Sequence, residues 1–198
     1  STKAFLAKVA ILLLTASALK RKTPRAVIEI KQAVRAIRKI LSPGYQKYLK
    51  KLAEKFKHAS SMFILGRGVS YPAALEAALK IKEVSYIHAE GFAAGELKHG
   101  VIALINQQTP CLVFAPNDET YSDVISGAME VKARGGMIIG ISHKPNPLFD
   151  YYLPVADSGN ASILGNVVVA QCLAYYLALA RGLDPDMPRN LAKSVTVK

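Results

Sequence analysis

The stretch M-F-I-L-G-R-G-V-S-Y-P-A-A-L-E-A-A-L-K-I-K-E-V-S-Y-I-H-A-E, residues 62–90, decides the fold. Met62–Leu65 is a short, wholly apolar run, which reads as a strand buried on both faces. Gly66-Arg67-Gly68 marks a turn, and Pro72–Val84 follows with helical composition. A short strand around Ile87–Glu90 closes the unit. The same grammar recurs downstream: strand Cys111–Ala115 and helix Tyr121–Arg134, then strand Met137–Ser142, then strand Leu153–Val155 and helix Ile163–Arg181. Apolar strands alternating with helices predict an α/β fold of three layers, with a five-stranded parallel sheet between helices. Sites in such sheets lie at the carboxyl ends of the strands. The candidate loops are therefore Gly66–Tyr71, Glu90–Gly100, Pro116–Thr120 and His143–Pro147.

Residues 1–60 have a different character and predict a helical segment. Ser1 and Thr2 suit the cap of a helix running to about Lys20. Pro24 suits the first turn of a second helix, with Ile30, Val34, Ile37 and Leu41 on its inward face. Ser42-Pro43-Gly44 breaks the chain, and a third helix from about Gln46 to Lys57 turns Leu49, Leu52, Ala53 and Phe56 inward. Lys3 and Lys8, the run Val9–Leu14 and the Ala16-Ser17-Ala18 pattern imitate a signal peptide. The chain starts at Ser1 without an initiator Met, so it reads as already processed or as a fragment. Val9–Leu19, interrupted by Thr15 and Ser17, is shorter than a membrane span and is expected to be a buried helix. The organisation expected is a helical segment over 1–60, the α/β domain over 61–184 and a polar tail over 185–198.

Composition bounds the function. The 198 residues are 51% apolar and carry 26 Lys and Arg against 14 Asp and Glu, a net +12. Residues 1–60 hold 15 basic and 2 acidic side chains, a net +13, whereas residues 61–198 hold 11 and 12, a net −1. Wholesale disorder is excluded. A basic arm for nucleic acid or membrane is one reading of the excess, and a solvated helical face is the other. The cations are spread over helical faces with only Tyr45 and Tyr48 as aromatics, so a solvated face is expected, with no nucleic-acid or membrane partner. Two cysteines, Cys111 and Cys172, sit in apolar runs and read as buried thiols of a cytoplasmic protein.

Several residues invite a chemical reading. Gly66-Arg67-Gly68 lacks the third glycine of a dinucleotide fingerprint, because Tyr71 stands there, and reads as turn chemistry. His88-Ala89-Glu90 matches half of a zinc deaminase signature without its P-C-x-x-C half, and the four histidines show no ligand spacing. No metal and no cofactor are expected. Lys80 and Glu83 share a face of one helix, which by spacing alone is an ordinary ion pair. Glu96, Lys98 and His99 lie in the glycine-bounded segment Gly95–Gly100. A carboxylate, an imidazole and an amine converging in a cleft run proton transfers on a sugar or keto acid. Lys193 lies among Leu191, Ala192 and Val195; it is either an exposed terminal lysine or one desolvated enough to form a Schiff base.

Six stretches carry a family resemblance: S-T-K-A-F at 1–5, L-G-R-G-x-x-Y-P at 65–72, A-L-K-I-K-E-V-S-Y-I-H-A-E-G-F-A-A-G-E-L-K-H-G at 78–100, A-P-N at 115–117, A-R-G-G at 133–136 and P-R-N-L-A-K-S-V-T-V at 188–197. In register over the whole chain, they resemble the isomerase part of the glucosamine-6-phosphate synthase family, the glutamine:fructose-6-phosphate aminotransferases (isomerising). That family carries two sugar-isomerase (SIS) domains after a glutaminase domain, and this chain resembles the second SIS domain with its leading helices and tail. The resemblance implies a Schiff base between Lys193 and C2 of fructose 6-phosphate, and proton transfer between C1 and C2 by Glu83. It implies that Lys80 assists Glu83, and that His99 opens the sugar ring in the site of a neighbouring subunit. Ser1 and the backbone of Ala192 would line the sugar. Partners so implied are fructose 6-phosphate and glucosamine 6-phosphate, the first SIS and glutaminase domains, and a second copy in a homodimer.

The family's phosphate loop, S-x-S-G-x-T, has no counterpart here. The corresponding loop is Ala115-Pro116-Asn117-Asp118-Glu119-Thr120, whose two carboxylates repel a phosphate. The isolated chain is therefore expected to hold most of the isomerisation residues and to have little or no activity. The alternative is a SIS module that senses sugar phosphates without catalysis.

Overall fold

The structure is a computed structural model and describes residues 2–190. Ser1, Ala192 and Lys193, three of the six candidate site residues, lie outside the described residues. Helices α1 (Thr2–Leu19), α2 (Thr23–Ile40) and α3 (Pro43–Phe56) come first. Then follow β1 (Ser61–Gly66), α4 (Ser70–Ser85), β2 (His88–Ala93), β3 (Pro110–Ala115), α5 (Tyr121–Lys132), β4 (Met137–Ser142), β5 (Tyr151–Pro154) and α6 (Ser162–Ala180). Short 3₁₀ turns occupy Ala94–His99, Val101–Leu104 and Gly159–Ala161. The five strands form one sheet in the order β2-β1-β3-β4-β5, and every pairing is parallel. This is the expected α/β architecture, with β2 running three residues beyond the predicted Glu90.

Strand alternation divides the core in two. Met62, Ile64, Leu112, Phe114, Ile139 and Ile141 face α3, α4 and α6, whereas Phe63, Leu65, Cys111, Val113 and Ile138 face α5 and the Ala94–His99 turn. Both sets are almost fully removed from water. Each fully buried large side chain contributes about 1.5–3 kcal/mol, so an uninterrupted apolar run is stable only as a strand covered on both faces. Helix α4 meets this core with Ala73, Ala74, Ala77 and Ala78, all buried. Small side chains there let the helix lie close to the strands.

Two expectations for the leading helices are corrected. The inward face of α2 is Ala26, Glu29, Ala33, Ala36 and Ile40, while Val34 and Leu41 are exposed and Ile30 and Ile37 half-buried. Close packing against the start of α6 selects small residues, and apolar spacing alone points to the bulkier neighbouring stripe. Glu29 belongs to the packed face because both carboxylate oxygens are engaged, by Arg25 at 2.9 Å and by Asn160 Nδ2 at 3.2 Å. Gly159 beside it has φ +57°, and a Cβ there would stand 2.6 Å from the Glu29 carboxylate.

Helix α1 forms as expected but buries none of its residues; Ile11 and Leu12 are 61% and 66% exposed. Leu6, Val9, Ala10 and Leu13 pack only partly against Ala33, Ala161 and Leu164. Because the helix extends back to Thr2, α1 is, contrary to expectation, long and apolar enough to cross a membrane by length and composition. Gly159–Ala180 passes the same test, and most of it is buried in the core of the domain. The Lys and Arg side chains of residues 2–60 are exposed except the half-buried Lys57, which puts the basic excess on solvated helical faces.

Candidate functional site

Helix α4 begins directly against the end of β1. A Cβ on Gly66 would lie 2.2 Å from the Ser70 carbonyl oxygen, so this position admits glycine alone, and Gly68 turns the chain with φ +54°. The Gly66-Arg67-Gly68 turn is thus explained by packing. Arg67 pairs with Asp123 across the loop at 3.1 Å. From this start α4 runs back along the sheet, with its alanine face inward and Glu76, Lys80 and Glu83 at spacings of four and three on another side.

Lys80 is 8% exposed, an unusual burial for a lysine, and its ammonium forms an ion pair and hydrogen bond with Glu83 Oε2. Glu76, half-buried one turn earlier, has its carboxyl pKa raised by burial; Lys80 opposes the shift and the charge of Glu83 adds to it. Two carboxylates and one ammonium therefore share a strip of α4 that is only partly wet. Such a strip holds a proton-accepting group beside a cation that steadies developing negative charge. Sequence reasoning selected Lys80 and Glu83 and missed Glu76, although the i, i+4, i+7 spacing of the three residues carried the signal.

His99 does not join them. The turn Ala94–His99 packs through Ala94 and Leu97 on the face of the sheet that α5 covers, whereas α4 covers the opposite face. His99 is exposed, Lys98 pairs with Glu130 of α5 at 3.0 Å, and Glu96 is exposed as well. The expected convergence of Glu96, Lys98 and His99 with Lys80 and Glu83 in one cleft is thus not realised within a single chain. His88 and Glu90 face each other on edge strand β2 at 3.6 Å, and among the described residues no group of three or more His, Cys, Asp or Glu gathers there or elsewhere. Both thiols are free; burial pushes each pKa up, far up for Cys111.

The loop after β3 is occupied by its own side chains. Asp118 Oδ1 accepts from the Thr120 backbone N–H at 2.8 Å and from its hydroxyl at 2.6 Å, which closes the turn into α5. Asn117 donates to Asp157 at 2.8 Å. Burial of Asp157 favours its neutral form, yet donors from Asn117, Gly159 and Ser162 outweigh it and, with His143 nearby, hold the carboxyl below its usual value. Carboxylates thus take up the donors that a bound anion would need at this edge.

The tail after α6 returns to α4. Tyr86, which ends α4, has φ +58°, and its N–H bonds to the Lys82 carbonyl. Its hydroxyl accepts from the Arg189 backbone N–H at 2.7 Å, and the Arg189 guanidinium lies over its ring, 4.1 Å from the centroid.

Comparison with known proteins adds to this geometry. A family model described as SIS domain matches residues 55–181. A glutamine–fructose-6-phosphate aminotransferase (isomerizing) of Methanosarcina acetivorans is 49% identical over 156 residues, covering 76% of this chain and 25% of that protein. One from Chlorobaculum tepidum is 40% identical over 209 residues, covering 100% of this chain and 34% of that protein. The chain thus spans about a third or less of the length of these curated relatives. Among solved structures, the C-terminal domain of glucosamine-fructose-6-phosphate aminotransferase from Francisella tularensis superposes with TM-score 0.68 at 32% identity, covering 85% of this chain and 46% of that chain.

Proposed function

The chain belongs to the SIS domain family, and on that premise we propose that it is the second sugar-isomerase domain of a glutamine–fructose-6-phosphate aminotransferase. Its chemistry would be the conversion of fructose 6-phosphate, with ammonia released from glutamine by another domain, to glucosamine 6-phosphate. The observation that carries this reading is the Lys80–Glu83 pair on α4, nearly buried at the lysine and flanked by Glu76. An ordinary surface ion pair has no need of that burial or of a second carboxylate.

In this reading the Lys193 amine condenses with the C2 carbonyl of the opened sugar and releases water. Ammonia displaces the lysine nitrogen, freeing Lys193, and leaves an iminium at C2 that acidifies the C1–H. Glu83 takes that proton from C1 and returns it at C2, giving the 2-amino aldose. Without ammonia it makes the same transfer on the sugar's free C2 carbonyl to turn ketose into aldose. Lys80 holds Glu83 in place and balances charge on the sugar oxygens. In synthesis, ammonia takes the place of the lysine nitrogen at C2, so the product keeps the amine. His99, on the far face of the sheet, serves the ring-opening step in the site of a second copy. The loop Ala115–Thr120, with the Asp118 carboxylate already bonded to Thr120, leaves phosphate binding to a first SIS domain.

Incubation of the purified chain with fructose 6-phosphate, followed by assay of glucose 6-phosphate, tests this division of labour. Little or no turnover is expected, and turnover comparable to that of a two-domain isomerase would sink it. Borohydride reduction in the presence of the first SIS domain is expected to trap the sugar on Lys193. A chain that only senses sugar phosphates would bind without trapping.

A further inference from the structure

We propose that the cavity beneath α1 is a binding site for a free medium-chain fatty acid. Its aliphatic chain would lie between α1, α2 and α4, and its carboxylate would meet Lys20 and Lys22. The inference goes beyond the isomerase reading and does not depend on it.

The cavity has a volume of about 530 Å³, within the range of about 300–1,000 Å³ that small-molecule sites occupy. Its wall is apolar and comes from four helices: Val9 and Leu13 of α1, Ile30 of α2, Val69 and Pro72 at the start of α4, and Ile163 at the start of α6. A helix that is apolar nearly all round belongs in contact with apolar material on every side. Helix α1, whose only charges are Lys3 and Lys8, buries none of its residues and touches its neighbours only through the partial contacts of Leu6, Val9, Ala10 and Leu13. An aliphatic chain in the cavity supplies contact along the inner side of α1. The lining follows α1 from Val9 to Ser17, about 12 Å of helix, before it reaches the turn into α2. An elongated chain suits that shape.

The end at this turn is cationic. Lys20, Lys22 and Arg25 line it, and all three are exposed. Glu29, the first acidic residue of the chain, is already held by Arg25 at 2.9 Å and by Asn160 at 3.2 Å. Among the described residues, Lys20 and Lys22 form no ion pair with a carboxylate. The cavity thus joins an apolar body to a cationic mouth, which favours an anionic head and disfavours a cationic one. A single carboxylate serves both ammonium groups through its two oxygens. A bilayer matches less well, because this apolar wall is concave and enclosed between α1 and the helices beneath it.

Calorimetric titration of the 198-residue chain with decanoate, below its micellar concentration, tests the site. Saturable binding of one equivalent is expected. Octanoate, shorter by two methylenes, should bind about tenfold more weakly. Decanol, which lacks the charge, should also bind about tenfold more weakly, and decyltrimethylammonium more weakly still. Replacing both lysines, Lys20→Gln with Lys22→Gln, should weaken decanoate by about tenfold and leave decanol unchanged. Ala16→Phe fills the cavity and should abolish binding while the thermal midpoint holds or rises, which separates occupation of the cavity from folding. Absence of saturable binding overturns the proposal, as does equal affinity for decanoate and decyltrimethylammonium. Unchanged binding in Ala16→Phe places the ligand elsewhere and overturns it too. Cosedimentation with phosphatidylglycerol vesicles, without binding of monomeric decanoate, would assign this face to a membrane instead. Release of bound decanoate on adding the first SIS domain would assign it to that domain, and either result overturns the fatty-acid site.

Discussion

Glu76 lies four residues before Lys80 on α4, and the carboxyl of the first is held above its usual pKa in spite of the ammonium of the second. Burial and the nearby Glu83 outweigh the attraction. A carboxyl whose folded pKa exceeds its unfolded value binds its proton more tightly in the folded state, so its contribution to stability is lost as pH rises through that pKa. Glu76→Gln is therefore expected to raise the thermal midpoint slightly at pH 7–8 and to leave it unchanged near pH 4. Thermal melts of both proteins across this range check the sign, and a loss of stability at neutral pH would contradict it.

Glu83→Gln removes the proposed proton carrier and keeps the shape of the side chain. General-base groups contribute about 100- to 10,000-fold, so isomerisation in the complex with the first SIS domain should fall by that order. Substrate affinity should change little. A fall in affinity without a fall in turnover would reassign Glu83 to binding.

Gly159→Ala places a methyl against the Glu29 carboxylate in a left-handed backbone. The expected loss of stability is about 1–3 kcal/mol, measured by urea denaturation. Gly44→Ala, on an open helical surface, provides the comparison and should be neutral or stabilising. Equal effects of the two substitutions would show that Glu29 and Gly159 are not closely packed.

Asp157 behaves in the opposite sense to Glu76. Its folded pKa is depressed, so its stabilising effect is full above the usual aspartate value and disappears as pH falls through the folded one. The wild type should therefore lose stability more steeply between about pH 4 and pH 2 than Asp157→Asn does. Acid melts followed by circular dichroism distinguish the two slopes.

The strands were legible in the sequence because a run such as Cys111–Ala115 has no amphipathic alternative. The face of α2 was not, because alanine scores weakly in any apolar pattern and the packed positions Ala26, Ala33 and Ala36 are chosen for size. The environment of α1 was not legible either: its composition tells that it is apolar, not which surface covers it. At the candidate site, Lys80 and Glu83 stood out because their spacing puts them on one face. Glu76 carried the same spacing, but only burial separates it from a solvated glutamate. That Glu83 and His99 occupy opposite faces of the sheet follows from which helix covers which side, information that exists only once the strands are ordered.

The sheet between Glu83 and His99 has a further consequence under the proposed reading. Each copy carries half of two different reaction centres, on opposite faces of one sheet. With the first SIS domain present, two crippled chains, one lacking the carboxylate and one lacking the imidazole, would rescue one another when mixed, with one of the two centres intact in each hybrid pair. Sugar turnover would then track how much of the protein has found a companion.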